Sequence, residues 1–320
     1  VTARLFVDAW DPAYGASLEG GNGADGPVTP STAQIQPDVE LPAAQWRPLD
    51  PAPGVTCPDV VLLVDGVRRI DAGLWTAEDD GSSYAGLAAS YAAGVVRCDL
   101  RRGAAELAGA RVERGLFTAS PSAEDVVAGT IRYTLRRVSG TGEASKLPAA
   151  VQGPLTALEV EVSGAARDGA DLLVVDGPLR NRRQLPRTIG YVKTQHSQYL
   201  PPALTQVVTS LTAGQRTPVF GLGTAWGGWS WYLRLPGRAG APWAGIVRVE
   251  CSPDLDVPEA VSLAQLSQAA LPRFASSAYK DPRAPQNLVP IAGLERRLRG
   301  LLGDARLLHR ALTAATSAGR

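Results

Sequence analysis

The chain has 320 residues, a formal net charge of +1, 45% hydrophobic residues and 6% aromatics. That length and apolar content suit one large or two ordinary domains with a real core, and they exclude a disulfide-stapled mini-protein and a wholly disordered chain. No run approaches the roughly 18 uncharged apolar residues of a membrane span. Asp8 falls where a signal peptide carries its apolar region, so the sequence predicts a soluble cytoplasmic protein with no membrane partner.

The charge is unevenly spread. Residues 1–100 hold 5 Lys/Arg against 14 Asp/Glu, a balance of −9, and residues 101–320 hold 27 against 17, a balance of +10. An acidic start followed by a basic remainder bears on an anionic partner. The cations are 29 Arg and 3 Lys, a bias expected of GC-rich coding that by itself carries little functional weight. Cys57, Cys98 and Cys251 form no CxxC pair, so buried thiols in a reducing compartment are expected. With only His196 and His309 present, HExxH and multi-His zinc chemistry are excluded, and neither histidine accompanies a GxSxG nucleophile elbow. A metal here would be held by carboxylates, which favours Mg or Mn.

In chain order, a short strand is predicted at Arg4–Ala9, then a Pro/Gly/Asp-rich arm or loop over 11–58. VVLLV at 60–64 reads as a strand buried on both faces, ending at Asp65-Gly66. After a tight turn, 67–75 would return as a hairpin, and 92–100 would add a third strand. Helices are predicted at 104–116, 121–135 and 154–168, with a loop at 140–148. DLLVV at 171–175 is a second apolar strand ending in Asp-Gly, followed by a strand at 188–194. Further strands are predicted near 219–220, 230–235 and 245–251 and helices at 258–271, 288–302 and 304–315, with an irregular, proline-bearing link at 276–287. The order implies an α/β sheet: an antiparallel meander continued by crossover strands and flanked by helices.

The two apolar runs ending in Asp-Gly are the strongest chemical signal. Aspartates delivered at strand ends sit where open α/β sheets form crevices, so Asp65 and Asp176 are candidates to converge on one cation. The simpler alternative is that Asp-Gly merely opens a turn. On the helix at 154–168, Leu155, Leu158, Val162 and Ala166 form the apolar stripe and Glu159 lies on its shoulder, making it the preferred third carboxylate, with Glu161 in reserve. Asp71 is a weaker fourth candidate that a returning hairpin strand would turn toward solvent. Between Asp176 and Lys193 lie Arg180, Arg182, Arg183 and Arg187, and no acid occurs from Gly177 through Trp243. Such a stretch suits a phosphate backbone, or is simply a solvated Arg-rich loop. Lys193 ends an apolar strand, where it would meet a phosphate or a carboxylate. His196 and Tyr199 follow in the same connection, where a surface role stands at least level with a functional one. In TAWGGWSWYLRL the half-buried alternation of Trp231, Leu233 and Leu235 favours core or interface over base stacking, and Arg248 and Glu250 share one strand face, either as an ion pair or as an extension of the site.

These segments resemble the NurA family of nucleases. The resemblance rests on VVLLVDG, on LTALEVEVSGAARDGADLLVVDGPL, on IGYVKT, on WSWYLRL and IVRVE, and on YKDPRAPQNLVPIAGLE, so it covers roughly residues 58–302. It implies an RNase H-like mixed sheet with a core over about 58–200, a C-terminal elaboration over 201–320, and an N-terminal arm over 1–57. It also implies a manganese-dependent (or magnesium-dependent) DNA nuclease working in end processing with a HerA-type hexameric ATPase, commonly as a homodimer. Asp65, Glu159 and Asp176 would be the metal ligands, with Lys193 beside them. Two departures stand out: Gly293 falls where the family carries a histidine, leaving Tyr279 for the aromatic role, and Val67 follows Asp-Gly in place of serine. The missing histidine raises a second expectation, a catalytically inactive DNA-binding adaptor of an ATPase, and a small-molecule hydrolase is a third.

Overall fold

The computed structural model describes residues 29–30, 33–139, 144–193, 197–223, 228–237 and 240–317. The predicted strand at Arg4–Ala9, Thr194, His196 and Trp226 lie outside the described residues. In chain order the strands are β1 (Thr29–Pro30), β2 (Gln34–Gln36), β3 (Val60–Ala77), β4 (Ser83–Asp99), β5 (Ala104–Thr118), β6 (Val126–Ala128) and β7 (Ile131–Arg137). Helices α1 (Leu147–Ala150) and α2 (Gln152–Ala166) precede β8 (Leu172–Asp176), β9 (Thr188–Val192), β10 (Ser197–Gln198) and α3 (Pro202–Ser210). Then come β11 (Phe220–Gly223), β12 (Gly228–Arg234), β13 (Ile246–Cys251), α4 (Val257–Ala270), α5 (Val289–Leu301) and α6 (Ala305–Ser317). The class is mixed α/β, with a large, mostly antiparallel sheet flanked by helices. Among the described residues no helix is long and apolar enough to cross a membrane.

The chain divides into two compact units. The first comprises the described residues of 1–63, 97–106 and 167–292. Its strands run in the order β2-β11-β12-β13-β9-β8 and on to the opening residues of β3. Neighbours from β2 to β9 are antiparallel, and β8 and β9 are parallel, the crossover arrangement expected there. One core cluster joins Leu204 and Val208 of α3 to Phe220, Tyr232 and Ile246. Phe220 and Tyr232 stack at 5.9 Å. Side chains alternate along a strand, so Trp231 faces the opposite way, where its indole donates to Ser267 Oγ of α4 at 3.0 Å. Trp231, Leu233 and Leu235 are all buried, as their alternation predicts. Helix α4 opens on a capping box, with Asp256 and Glu259 each accepting the other's backbone N–H.

Part of the Pro/Gly/Asp-rich stretch is built into this unit. β2 pairs with β11, Trp46 packs on Phe220, and Glu40 receives a bidentate fork from the buried Arg216 at 2.7 and 2.8 Å.

The second unit comprises residues 64–96, 107–166 and 293–320 as far as they are described, with strand order β3-β4-β5-β7-β6. Three expectations are corrected here. β3 does not turn at Asp65-Gly66 but runs unbroken to Ala77, and the hairpin turn lies at Glu78–Gly81, where Gly81 N–H donates to Glu78 O. The stretches predicted as helices at 104–116 and 121–135 are strands β5, β6 and β7. AAELAGARVERGLF is rich in helix formers, yet helix propensity is a weak prior, and the pairing available in the sheet overrides it. In β7 the alternation of Ile131, Tyr133 and Leu135 is a strand signal, and Gly129, at φ +66°, makes the turn from β6.

The third correction concerns Asp71, whose carboxylate is buried rather than solvated. It accepts from Arg69 Nε at 2.9 Å, Ser90 Oγ at 2.5 Å and Tyr133 OH at 3.0 Å. Burial, and then the Asp71 charge, push the Tyr133 phenol from 10.0 up to about 12. Burial, and then Glu113, do the same to Tyr91. A phenol whose pKa rises on folding adds stability that is whole below pH 10 and is lost as pH climbs through about 12. Exposed Tyr279 is shifted the other way, its phenol pulled down by a hydrogen bond and charge from Lys280. An ultraviolet phenolate titration, with Tyr→Phe differences, should show Tyr279 ionising before Tyr91 and Tyr133. The reverse order would contradict the burial of Tyr133 beside Asp71.

Candidate functional site

In the first unit, β8 carries four buried apolar residues and then Asp176, the pattern its sequence predicts. Here the Asp-Gly does end the strand. Gly177, at φ +103°, turns the chain in a conformation that favours glycine, and its N–H donates to Tyr191 O at 2.8 Å. The returning loop lies so close to β9 that a Cβ at Gly190 would stand 2.9 Å from Gly177 O and 3.0 Å from both Leu179 N and Glu250 Cγ. Glu250 on β13 fixes that loop: its Oε1 accepts the Leu179 N–H at 2.7 Å and its Oε2 accepts from Arg248 Nη1 at 2.5 Å. Arg248 also donates to Ser230 Oγ and lies 5.4 Å from the Tyr199 ring centroid. The predicted Arg248–Glu250 pair therefore exists, buried, as a support for the segment after Asp176.

Lys193, immediately after β9, donates through Nζ to Asp176 Oδ2 at 2.6 Å and to Asn287 Oδ1 at 3.1 Å. Asn287 is fully buried, and its amide Nδ2 donates to Asp281 Oδ2 at 2.5 Å. The 281–287 segment is held to β9 by Tyr191 OH donating to Gln286 O at 2.6 Å, and by Gln286 Nε2 donating to Lys193 O and Ile246 O. Complete burial, followed by the Asp176 charge, drives the Tyr191 phenol far above its ordinary pKa, so it remains a neutral donor. The result is a continuous line from carboxylate to ammonium to amide to carboxylate. A half-buried ammonium so arranged is a ready partner for a phosphate oxygen.

In the second unit, Asp65 is within a strand and its carboxylate accepts the Gly66 N–H at 2.8 Å. Side chains alternate, so Gly66 rather than Asp65 looks toward α2. A Cβ there would meet Glu159 Oε1 at 2.5 Å and Leu155 Cδ1 at 2.7 Å. The role of this glycine is thus close approach, not a turn. Glu159 is 5% exposed, against an ordinary expectation of a solvated glutamate, and Glu161 is an exposed partner of Arg111. Glu159 is the helix carboxylate that reaches the strand.

The four arginines after Asp176 are not one open surface. Arg182 is 5% exposed and donates to Pro178 O at 3.1 Å. Arg187 is exposed and reaches Asp171 O with Nε at 3.1 Å. Arg180 and Arg183 are half-buried, Arg180 at φ +43°. Tyr279 is 83% exposed beside Lys280, and Gly293 has open space where a Cβ would stand.

Sequence reasoning did not single out Asn287, Asp281 or Gly190. The signal that was available is a short polar run, DPRAPQN, followed by an amphipathic helix, with the carboxylate and the amide six residues apart.

No family model matches the chain, and no curated protein matches it. Among the described residues, no three Asp, Glu, His or Cys side chains are gathered as a metal-binding group.

Proposed function

We propose that this chain is a divalent-metal-dependent deoxyribonuclease with an RNase H-like core, acting in DNA end processing. The supporting observation is the Asp176–Lys193 pair, whose two members bracket a basic segment without an acid. In this reading the partners are DNA, a second copy of the chain and a HerA-type hexameric ATPase.

The carboxylates suit a hard cation. Glu159 occupies the cradle that the missing Cβ of Gly66 leaves, and the donors are oxygen alone. Glu159 is the candidate Mn or Mg ligand on the α2 side of β3, Asp65 the candidate on the opposite face of that strand, and Asp176 the candidate in the other unit. Such a cation, when bound, neutralises phosphodiester charge and acidifies water. Lys193 Nζ would bind a non-bridging phosphate oxygen, and Asp176 orients that ammonium. Arg187, with Arg180 and Arg183, would hold neighbouring phosphates, and Arg182 would shape the loop from within.

The decisive experiment is incubation of the purified protein with labelled single- and double-stranded DNA in Mn, Mg or EDTA. Degradation is expected with Mn and not with EDTA. Asp65→Ala and Asp176→Ala should each slow it about 10²–10³-fold, the scale of losing one electrostatic stabiliser of a charged transition state. One observation favours a second reading, an inactive DNA-binding adaptor: Lys193 already neutralises the Asp176 carboxylate. Binding of DNA with no degradation under any metal would establish that reading over the first.

A further inference from the structure

Asn287 and Asp281 were not singled out within the YKDPRAPQN segment, yet they complete the hydrogen-bonded line that ends on Asp176. An ammonium only donates and a carboxylate only accepts, so neither can bond its own kind. Asn287 bridges them because its amide does both: Oδ1 accepts a hydrogen bond from Lys193 Nζ at 3.1 Å while Nδ2 donates one to Asp281 Oδ2 at 2.5 Å. The two partners fix which way the amide points. Asp281 is itself held, its Oδ1 accepting the Arg283 N–H at 2.8 Å. The loop is clamped to β9 on the same side by Tyr191 and Gln286. Lys193 therefore has one acceptor from β8 and a second from this loop, and its ammonium is held between them at 13% side-chain exposure.

We infer that Asn287 and Asp281 are positioning residues: they aim the Lys193 ammonium at the phosphate that Lys193 would bind. The inference rests on the phosphodiester chemistry proposed above for its functional meaning, but the positioning itself is measurable without activity. Lys193 is one of only three lysines, and Lys146 and Lys280 are exposed.

In protein labelled with ¹⁵N-lysine, the Lys193 ammonium, assigned by its loss in Lys193→Arg, should be the one whose protons exchange slowly enough with water to give a cross-peak. Asn287→Leu should abolish that cross-peak. Asn287→Asp alone sets two carboxylates face to face and should weaken it. The double variant Asn287→Asp with Asp281→Asn restores donor to acceptor along the line and should bring it back. DNA degradation in Mn should follow the same order, falling about 10–100-fold in Asn287→Asp, chiefly in kcat, and recovering in the double variant. A cross-peak unchanged by Asn287→Leu, or a double variant no better than Asn287→Asp, would overturn the inference. If the wild type degrades no DNA in any metal, the nuclease reading fails by itself, while the lysine signal still decides whether these residues position Lys193.

Discussion

Alanine at position 190 should be among the most damaging single-methyl additions in this chain. The new Cβ would stand 2.9 Å from Gly177 O and 3.0 Å from Leu179 N. Both are backbone atoms, so relief requires moving the segment that follows Asp176 or opening β9. Overpacking of this kind costs about 1–3 kcal/mol. The functional loss should exceed the stability loss, because the loop that shifts is the one Glu250 holds in place behind Asp176. Gly164→Ala is the control: it lies in α2 with nothing within 4 Å of its Cβ. Removing a helical glycine should stabilise by about 0.5–1 kcal/mol with activity unchanged. Denaturant midpoints and DNA degradation rates for the two variants test this directly. Equal behaviour of the two would mean that the loop does not press on β9 as described.

Asp71→Ala should destabilise by about 3 kcal/mol, near the lower end for breaking a buried charged network. Ser90 and Tyr133 are buried and would lose the carboxylate they share, and Arg69 would keep the carbonyls of Leu302 and Gly303. The variant also separates two roles. A metal ligand, once removed, would cost activity at every temperature, whereas a structural carboxylate costs activity only where the fold fails. Activity retained at low temperature, together with a lowered denaturant midpoint, is the expected pair of results. A stable variant devoid of Mn-dependent activity would instead make Asp71 part of the site.

Several elements were legible because their cause is local. DLLVVDG is a buried run with its turn residues attached, and DVPE carries the α4 cap in four residues. WSWYLRL shows the period of a strand, and the structure covers both of its faces. Glu159 was preferred over Glu161 from helical phase alone, and the structure places Glu159 against the strand and Glu161 beside Arg111 in solvent.

Other elements were hidden because their cause is distant. β4 runs from Ser83 through an Ala-rich stretch with weak strand propensity, and its small side chains give the room: at Gly94, Leu294 and Leu298 of α5 approach a would-be Cβ to 3.1 and 2.9 Å. β5 looks helical in isolation and is a strand because the sheet supplies its hydrogen bonds. Asp65-Gly66 looks like a turn and is mid-strand, its glycine reserved for a helix some ninety residues later in the chain.

The sequence by itself determined an α/β protein, the two apolar Asp-Gly strands, the basic stretch after the second and the lysine that ends the next strand. These follow from composition and short-range periodicity, which any isolated segment carries. Only the tertiary structure decided that one Asp-Gly turns and the other does not, that Asp71 is buried, and that Asn287 and Asp281 extend the line from Asp176 through Lys193. Each depends on a partner far away in the chain, and which donor meets which acceptor is settled when packing brings them within hydrogen-bond reach.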